Sequence, residues 1–242
     1  KTTAIAAAVI AGSTMLPSTA LFAQEMVEEI VTTGTRAKAR STTDTVAPVD
    51  VISSAALLNQ GDMDVANLLR NAVPSFSVND QPISDAATLV RPFQLRGMAP
   101  DHTLILVNGK RRHRGRVIVW SAGGISDGSH GPDASTMPGM SLKSVEVLRD
   151  GASALYGSDA LSGVINFKLK DASEGGSAQV RFGEYSEGDG QMAYFAGNIG
   201  MELGANGFAN ATLEFGSSDE TVRSVQRNDA AGLIAAGFPV AD

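Results

Sequence analysis

Three successive segments near the end of the chain have the length and spacing of strands in an antiparallel meander. They are residues 177–185, 191–203 and 208–218, and short runs rich in glycine and polar residues link them. Each approaches the ~9 to 11 residues that a membrane-crossing strand needs. In the last segment polar or small residues alternate with apolar ones, which suits lipid on one side and a wet lumen on the other. A soluble antiparallel sheet would show much the same alternation, so the pattern alone leaves both structures open.

A mixed pattern of short strands and helices precedes this meander. Strands are predicted at residues 49–52, 94–96, 103–107, 144–148 and 163–169. Ser53 or Ser54 can cap one short helix, and Asp64 can cap a second. The dipeptide Asn108-Gly109 is a strong signal for a tight turn between strands. We therefore predict a small α+β domain over residues 46–170.

The first residues of the chain indicate an export signal. Residues 2–23 carry no charge, follow Lys1, and begin with an apolar run rich in Ala, Ile and Val. Gly12 and Pro17 interrupt that run, so it does not predict a spanning helix of ~20 apolar residues. We expect a signal peptide at residues 1–23 that lacks its own N-terminus. A buried N-terminal helix is the alternative.

Residues 24–45 are polar and rich in threonine, and we expect an extended, mobile segment there. Within it, residues 29–34 form a short β-prone island, because Ile30, Val31, Thr32 and Thr33 are all β-branched. Such an island can add itself as a strand to the edge of another protein's sheet. An ordinary edge strand would have the same sequence.

Composition and motifs argue against several function classes. The net charge of -7 disfavours general binding to nucleic acid, and the absence of cysteine removes disulfides and thiolate sites. His102, His113 and His130 are too scattered for a recognisable metal site. A Gly-x-Ser-x-Gly pattern surrounds Ser126, but a nucleophile elbow needs a buried strand before the serine and a helix after it. We predict no catalytic residue, no metal, no cofactor and no enzyme activity.

Four motifs occur in a fixed order along the chain. Residues 28–36 read EEIVTTGTR, residues 68–78 read LLRNAVPSFSV, and residues 93–98 and 104–111 read FQLRGM and LILVNGKR. Residues 145–167 read VEVLRDGASALYGSDALSGVINF. In this order the motifs resemble the TonB box, the early plug helix, the central plug strands and the plug signature of the TonB-dependent receptor family.

The resemblance implies an architecture and a function. The fold would be an α+β plug domain followed, over residues 171–242, by the first three or so antiparallel strands of a transmembrane β-barrel. Since large members of this family close about 22 strands around a plugged lumen, the chain is expected to be a fragment. The implied function is uptake of a scarce nutrient across the Gram-negative outer membrane, energised through TonB, for a ligand that the sequence does not identify. A free-standing periplasmic plug-like binding or signalling module is the alternative.

The resemblance also assigns residues to roles. The partners would be the periplasmic C-terminal domain of TonB and outer-membrane lipid, with the plug inside the barrel and the box facing the periplasm. The residues expected to bind TonB are Glu29, Ile30, Val31, Thr32, Thr33 and Gly34.

Two further groups of charged residues are candidates for function. Arg96, Glu146 and Arg149 flank predicted buried strands, where an unpaired charge is costly. We expect these residues to form ion pairs with each other or with the barrel wall. The dense basic run after residue 109 is a candidate ligand-facing loop for an anionic ligand, with a solvated loop as the alternative. Its residues are Arg111, Arg112, His113, Arg114 and Arg116.

Overall fold

The computed structural model describes most of the chain from residue 48 onwards and a few positions before it. The described residues are 30–31, 33, 40–41, 48–60, 62, 64–78, 90–119, 124–205, 207–221, 223 and 229–237. The predicted signal peptide and Glu29, Thr32 and Gly34 of the predicted box lie outside them.

The elements are short in the first two thirds of the described chain and long in the last third. The strands are β1 (Ile30–Val31), β2 (Arg40–Ser41), β3 (Val49–Ser53), β4 (Phe76–Val78), β5 (Phe93–Leu95), β6 (Thr103–Val107), β7 (Lys110–Arg111), β8 (Leu142–Leu148), β9 (Gly163–Leu169), β10 (Gly176–Gly183), β11 (Met192–Leu203) and β12 (Gly207–Ser218). The helices are α1 (Ser54–Leu58), α2 (Val65–Ala72), α3 (Ser153–Tyr156) and α4 (Ala230–Ala235).

A five-stranded mixed sheet is the centre of the first part. Its strand order is β3-β8-β9-β6-β7, and only β6 and β9 run parallel. The predicted turn at Asn108-Gly109 is confirmed: both residues have positive φ, at 49° and 77°, and they join β6 to β7. The strands predicted at 103–107 and 163–169 are confirmed at the same bounds. The predicted α+β class is therefore confirmed.

One face of this sheet carries the main apolar core. The helices α1 and α2 begin at the predicted caps, since Ser53 accepts from the Ala56 amide at 3.2 Å and Asp64 accepts from the Ala66 amide at 2.8 Å. Helix α2 and the β4–β5 ribbon contribute buried residues to this core. The aromatic residues of the core are Phe76, Phe93 and Phe167.

The other face of the sheet carries apolar side chains on one part and buried polar side chains on another. A smaller apolar cluster covers one part and consists of Leu104, Leu106, Leu148, Ala152, Ala160 and Val164, with Val49 and Tyr156 packed against it. The side chains of Glu146 and Asn166 are also buried, each at most 2% exposed. This face therefore combines an apolar part with a polar part.

The strands β10, β11 and β12 form a separate antiparallel sheet in that order. Along β11 buried and exposed side chains alternate, with Tyr194, Ala196 and Asn198 on the buried side. The three predicted strand segments are confirmed to within two residues at each end. Within the described part of the chain, no helix combines the length and apolar character that crossing a membrane would require.

Candidate functional site

A buried polar cluster connects the N-terminal segment to the five-stranded sheet. Glu146 on β8 lies opposite Asn166 on β9, and the Asn166 amide donates to Glu146 Oε2 at 3.1 Å. The Thr33 hydroxyl donates to the same oxygen and accepts from the Asn166 amide at 3.2 Å. Thr33 is 1% exposed. Because a buried carboxylate is tolerated only when it is hydrogen-bonded, Thr33 belongs to the set of groups that stabilise Glu146.

The cluster was not predicted, but the sequence contains a signal for it. Glu146 and Asn166 each interrupt an apolar strand, between Val145 and Val147 and between Ile165 and Phe167. Side chains alternate between the faces of a strand, so both polar residues point away from the main core. Their shared partner Thr33 could not be found by spacing, because it lies 113 residues before Glu146.

The predicted box is described in part. Ile30 and Val31 pair in antiparallel register with Ser41 and Arg40. Through this pairing and the burial of Thr33, the N-terminal segment contacts other residues of its own chain. The role of these residues in binding TonB remains a prediction.

The predicted ion-pair residues lie in two different environments. Arg96 and Arg149 come together at one end of the sheet, where Arg96 donates to the Arg149 carbonyl at 3.3 Å. Arg149 pairs with Asp50 across the β3–β8 ladder at 2.7 Å, and Arg96 lies 3.8 Å from Asp150. Both arginine side chains are more than two-fifths exposed, whereas Glu146 is buried in the polar cluster. Pairing of the two arginines with a barrel wall remains a prediction.

The basic run follows the edge of the sheet and is partly neutralised. Arg111 pairs with Asp159 at 2.7 Å, and Arg114 lies 3.4 Å from Asp159 and 4.0 Å from Asp101. Arg112 donates to Thr136 at 3.4 Å. A cavity of about 250 Å³ opens here, lined by Asp101, Thr103, Leu104, Arg111, Arg112, His113, Arg114, Pro132 and Asp159. Arg116 is exposed beyond this cavity. Ligand contact by this run remains a prediction.

The three-stranded sheet is fixed to the first part by polar and apolar contacts. Arg181 on β10 donates to the carbonyl oxygens of Leu58 and Asp62, the latter at 2.9 Å. Glu214 on β12 accepts from the Tyr194 hydroxyl at 2.9 Å. Tyr194 and Ala196 also pack with Met140 and Leu58.

The connection between the two parts is short and charged. Lys143 on β8 donates to Asp171 at 2.9 Å, and this hydrogen bond holds the pKa of Asp171 below its ordinary value. Burial lowers the pKa of the neighbouring Lys170. Asp171 therefore stays ionised at neutral pH and ties the connection to β8.

The outward face of the three-stranded sheet is apolar and exposed. Its large apolar residues are between 41% and 81% exposed: Val180, Phe182, Phe195, Ile199, Met201, Leu203, Leu213 and Phe215. Contiguous apolar surface of this kind marks contact with a membrane, a partner or a ligand rather than with water.

The Gly-x-Ser-x-Gly pattern does not form a nucleophile elbow. Residues 124–128 are turns, and Ser126 is buried and accepts from the Gln94 side chain. His130 contacts the Gly115 carbonyl oxygen through its Nε2. Among the described residues, no group of His, Cys, Asp and Glu could hold a metal ion.

Comparison with known proteins decides the family. A family model for the TonB-dependent Receptor Plug Domain matches residues 41–164, which is more than half of the chain. The chain belongs to the TonB-dependent receptor family. The family resemblance and the plug fold expected from the sequence are thereby confirmed. The family consists of receptors and transporters, not of enzymes.

The relatives of this receptor chain are much longer than the chain itself. The "Iron-regulated outer membrane virulence protein" of Vibrio cholerae is 30% identical over 193 residues, which cover 74% of this chain and 28% of the relative. The "Vitamin B12 transporter BtuB" of Photobacterium profundum is 25% identical over 204 residues, covering 84% and 30%.

A crystal structure of the ferric enterobactin receptor PfeA of Pseudomonas aeruginosa, a G324V mutant, has the same fold in the aligned part. Its TM-score is 0.54 at 21% identity, and the alignment covers 74% of this chain and 25% of that one. The chain thus spans less than a third of the length of each of these proteins.

Proposed function

We propose that the receptor containing this chain takes up a scarce small-molecule nutrient across the Gram-negative outer membrane, with energy supplied through TonB. The observation that carries the proposal is the direct continuation of a plug-type sheet into three strands. Those strands are exposed and apolar on one face and bound to the plug on the other. That arrangement suits a plug held inside a wall whose outer face contacts lipid.

The proposed partner of the N-terminal segment is the periplasmic C-terminal domain of TonB. The segment would pair with it as an added strand, through the main chain of residues 29–34. Ile30 and Val31 already adopt a strand in the structure, so little reordering of their backbone would be needed. The ligand remains open, because relatives are named for siderophores and for vitamin B12.

Substitution of proline in the box tests this function. Proline removes a backbone donor and fixes φ, so Ile30→Pro or Val31→Pro should abolish uptake while leaving ligand binding intact. The measurement is uptake and surface binding of labelled ferric enterobactin and vitamin B12 by cells that produce the complete receptor.

Alanine at the same positions is the matched control. Since strand addition uses the main chain, Ile30→Ala and Val31→Ala should keep most of the uptake. Normal uptake by either proline variant, with the labelled nutrient still bound, would overturn the assignment of the box.

A free-standing periplasmic binding or signalling module is the second candidate. Sequencing the encoding locus beyond both ends separates the two. A reading frame that continues through many more alternating strands supports the receptor, and a stop codon directly after Asp242 supports the module.

A further inference from the structure

The turn between β8 and α3 brings a backbone nitrogen against the carboxylate of the residue before it. The Gly151 N–H donates to Asp150 Oδ1 at 2.8 Å, so the contact lies within one Asp-Gly pair. The Asp150 side chain is 65% exposed, and Gly151 is exposed as well. Because glycine has no side chain, nothing on Gly151 itself hinders the approach of its nitrogen to Asp150 Cγ. The two groups are placed to react with each other.

We propose that Asp150 is a site of spontaneous modification, at which the Asp150-Gly151 bond becomes an isoaspartyl bond through a cyclic imide. In the first step the Gly151 nitrogen attacks Asp150 Cγ. The N–Cγ bond forms, the Cγ–OH bond of the protonated carboxyl breaks, and the hydroxyl leaves with the amide proton as water.

The second step opens the imide ring on its other side. Water adds to the former backbone carbonyl carbon of Asp150, and the bond between that carbon and the nitrogen breaks. The main chain then runs through Cγ, and the former carbonyl carbon is the new free carboxylate. One water is lost and one is gained, so the mass is unchanged, and the reaction uses no oxidant, reductant or cofactor.

The same reaction is hindered at the Asn108-Gly109 pair. The Gly109 N–H donates to Asn166 Oδ1 at 3.0 Å, and Asn108 Oδ1 accepts from the Leu169 N–H at 2.9 Å. The attacking nitrogen and the group under attack are therefore both held by β9. These hydrogen bonds have to break before the ring can close.

Two further pairs among the described residues are also held by other segments. In Asp127-Gly128 the glycine N–H donates to the Val119 carbonyl oxygen at 2.8 Å. In Asp189-Gly190 the carboxylate is paired with Arg223, whose Nε lies 3.1 Å from Asp189 Oδ2. Each of these pairs has to break a contact with another segment before it reacts. The structure thus distinguishes Asp150 from chemically similar residues of the same chain.

The modification changes the end of the sheet where two arginines meet. Asp150 lies 3.8 Å from Arg96, which also donates to the Arg149 carbonyl oxygen at 3.3 Å. On the other side of the pair, the Ala152 N–H donates to the Ala160 carbonyl oxygen at 2.9 Å. An isoaspartyl bond adds one carbon to the main chain between these fixed points and moves the carboxylate. The modified turn therefore loses the contact between Asp150 and Arg96.

Ageing of the purified full chain in detergent, at physiological temperature and pH, measures the modification. Isoaspartate is quantified by enzymatic methylation of its carboxylate and is located by mass spectrometry of peptides. Since one hydrogen bond that has to break corresponds to about tenfold in rate, isoaspartate at Asp150 should exceed that at Asp127 and Asp189 by about tenfold. In the chain unfolded in urea those contacts are lost, so the three sites should agree within about threefold.

Two variants of Asp150 keep the test specific. Asp150→Glu keeps the charge but would have to close a larger, less favourable ring, so isoaspartyl-type modification there should disappear. Asp150→Asn releases ammonia instead of water and should react faster, with a mass increase that reports each conversion. Near-ultraviolet circular dichroism confirms that both variants are folded.

Equal amounts of isoaspartate at the three aspartates of the folded chain would overturn the proposal. Modification of Asp150 only after unfolding in urea would overturn it as well. The test contains neither TonB nor a nutrient, so its outcome is independent of the proposed function.

Discussion

Gly163 shows how strongly one position of this plug depends on its residue type. It opens β9 at φ 144°, a conformation that residues with a side chain rarely adopt. A Cβ atom added there would lie 2.4 Å from the Leu148 carbonyl oxygen and 3.0 Å from a methyl carbon of Leu95. The close approach of the end of β8 to the start of β9 therefore requires glycine.

Gly163→Ala should lower the free energy of unfolding by about 2–4 kcal/mol, because backbone strain and overpacking act together. The control is Gly175→Ala, where φ is 81° and no atom lies within 4 Å of the added Cβ. The control should cost only about 1–2 kcal/mol. Urea denaturation of both variants measures the difference, and equal losses would contradict the steric account.

At the scale of elements, the strands that could be predicted are those whose residues carry a local signal, such as an apolar run followed by a turn dipeptide. The strand Thr103–Val107 is an apolar run followed by a turn dipeptide, so its bounds were predictable. The strand Phe76–Val78 was missed, because three residues after Pro74 are too few to show a period. Strand β7 was missed because two exposed basic residues give no apolar pattern.

In the candidate site, too, features set by local sequence could be predicted, whereas contacts between distant segments could not. The burial of Glu146 followed from its position inside an apolar strand. Its contact with Thr33 could not follow, since hydrogen bonds between distant segments leave no period in the sequence. The partners of Arg149 and Arg96 were also hidden, because Asp50 pairs across a ladder and Asp150 lies in a loop.

Arg181 should control how firmly the three-stranded sheet holds α1. Arg181→Met keeps most of the apolar stem but removes both hydrogen bonds to the carbonyls of Leu58 and Asp62. Hydrogen bonds from a charged donor are worth about 1.5–3 kcal/mol each in a favourable setting, and partial exposure reduces this. Amide hydrogen exchange over residues 54–60 should therefore become faster.

Arg223→Met is the control for this change. Arg223 pairs with Asp189 and Glu187 in the exposed region beside the β10–β11 connection, away from α1. Its removal should leave exchange over residues 54–60 unchanged. The same acceleration in both variants would mean that Arg181 has no specific role in holding α1.

At the scale of the whole molecule, the sheet of β10, β11 and β12 has two unlike faces with different partners. The inward face presents Tyr194, Asn198 and Glu214, whose polar atoms are hydrogen-bonded. The large side chains of the outward face are apolar, and within the described part of the chain they stay exposed. An apolar surface of this kind is unfavourable in water, so its depth in lipid should decide the effect of a charge placed on it.

Leu213 and Leu203 allow that depth dependence to be measured. Both side chains are exposed on the outward face, but Leu213 pairs with Gly197 near the middle of the strands and Leu203 is the last residue of β11. Arginine at the midplane of a membrane costs about 2–4 kcal/mol, and near the interface about 0–1 kcal/mol. Leu213→Arg should therefore reduce the fraction of the chain that floats with phosphatidylcholine vesicles, whereas Leu203→Arg should leave it nearly unchanged. Equal flotation of the two variants would mean that this face contacts something other than lipid.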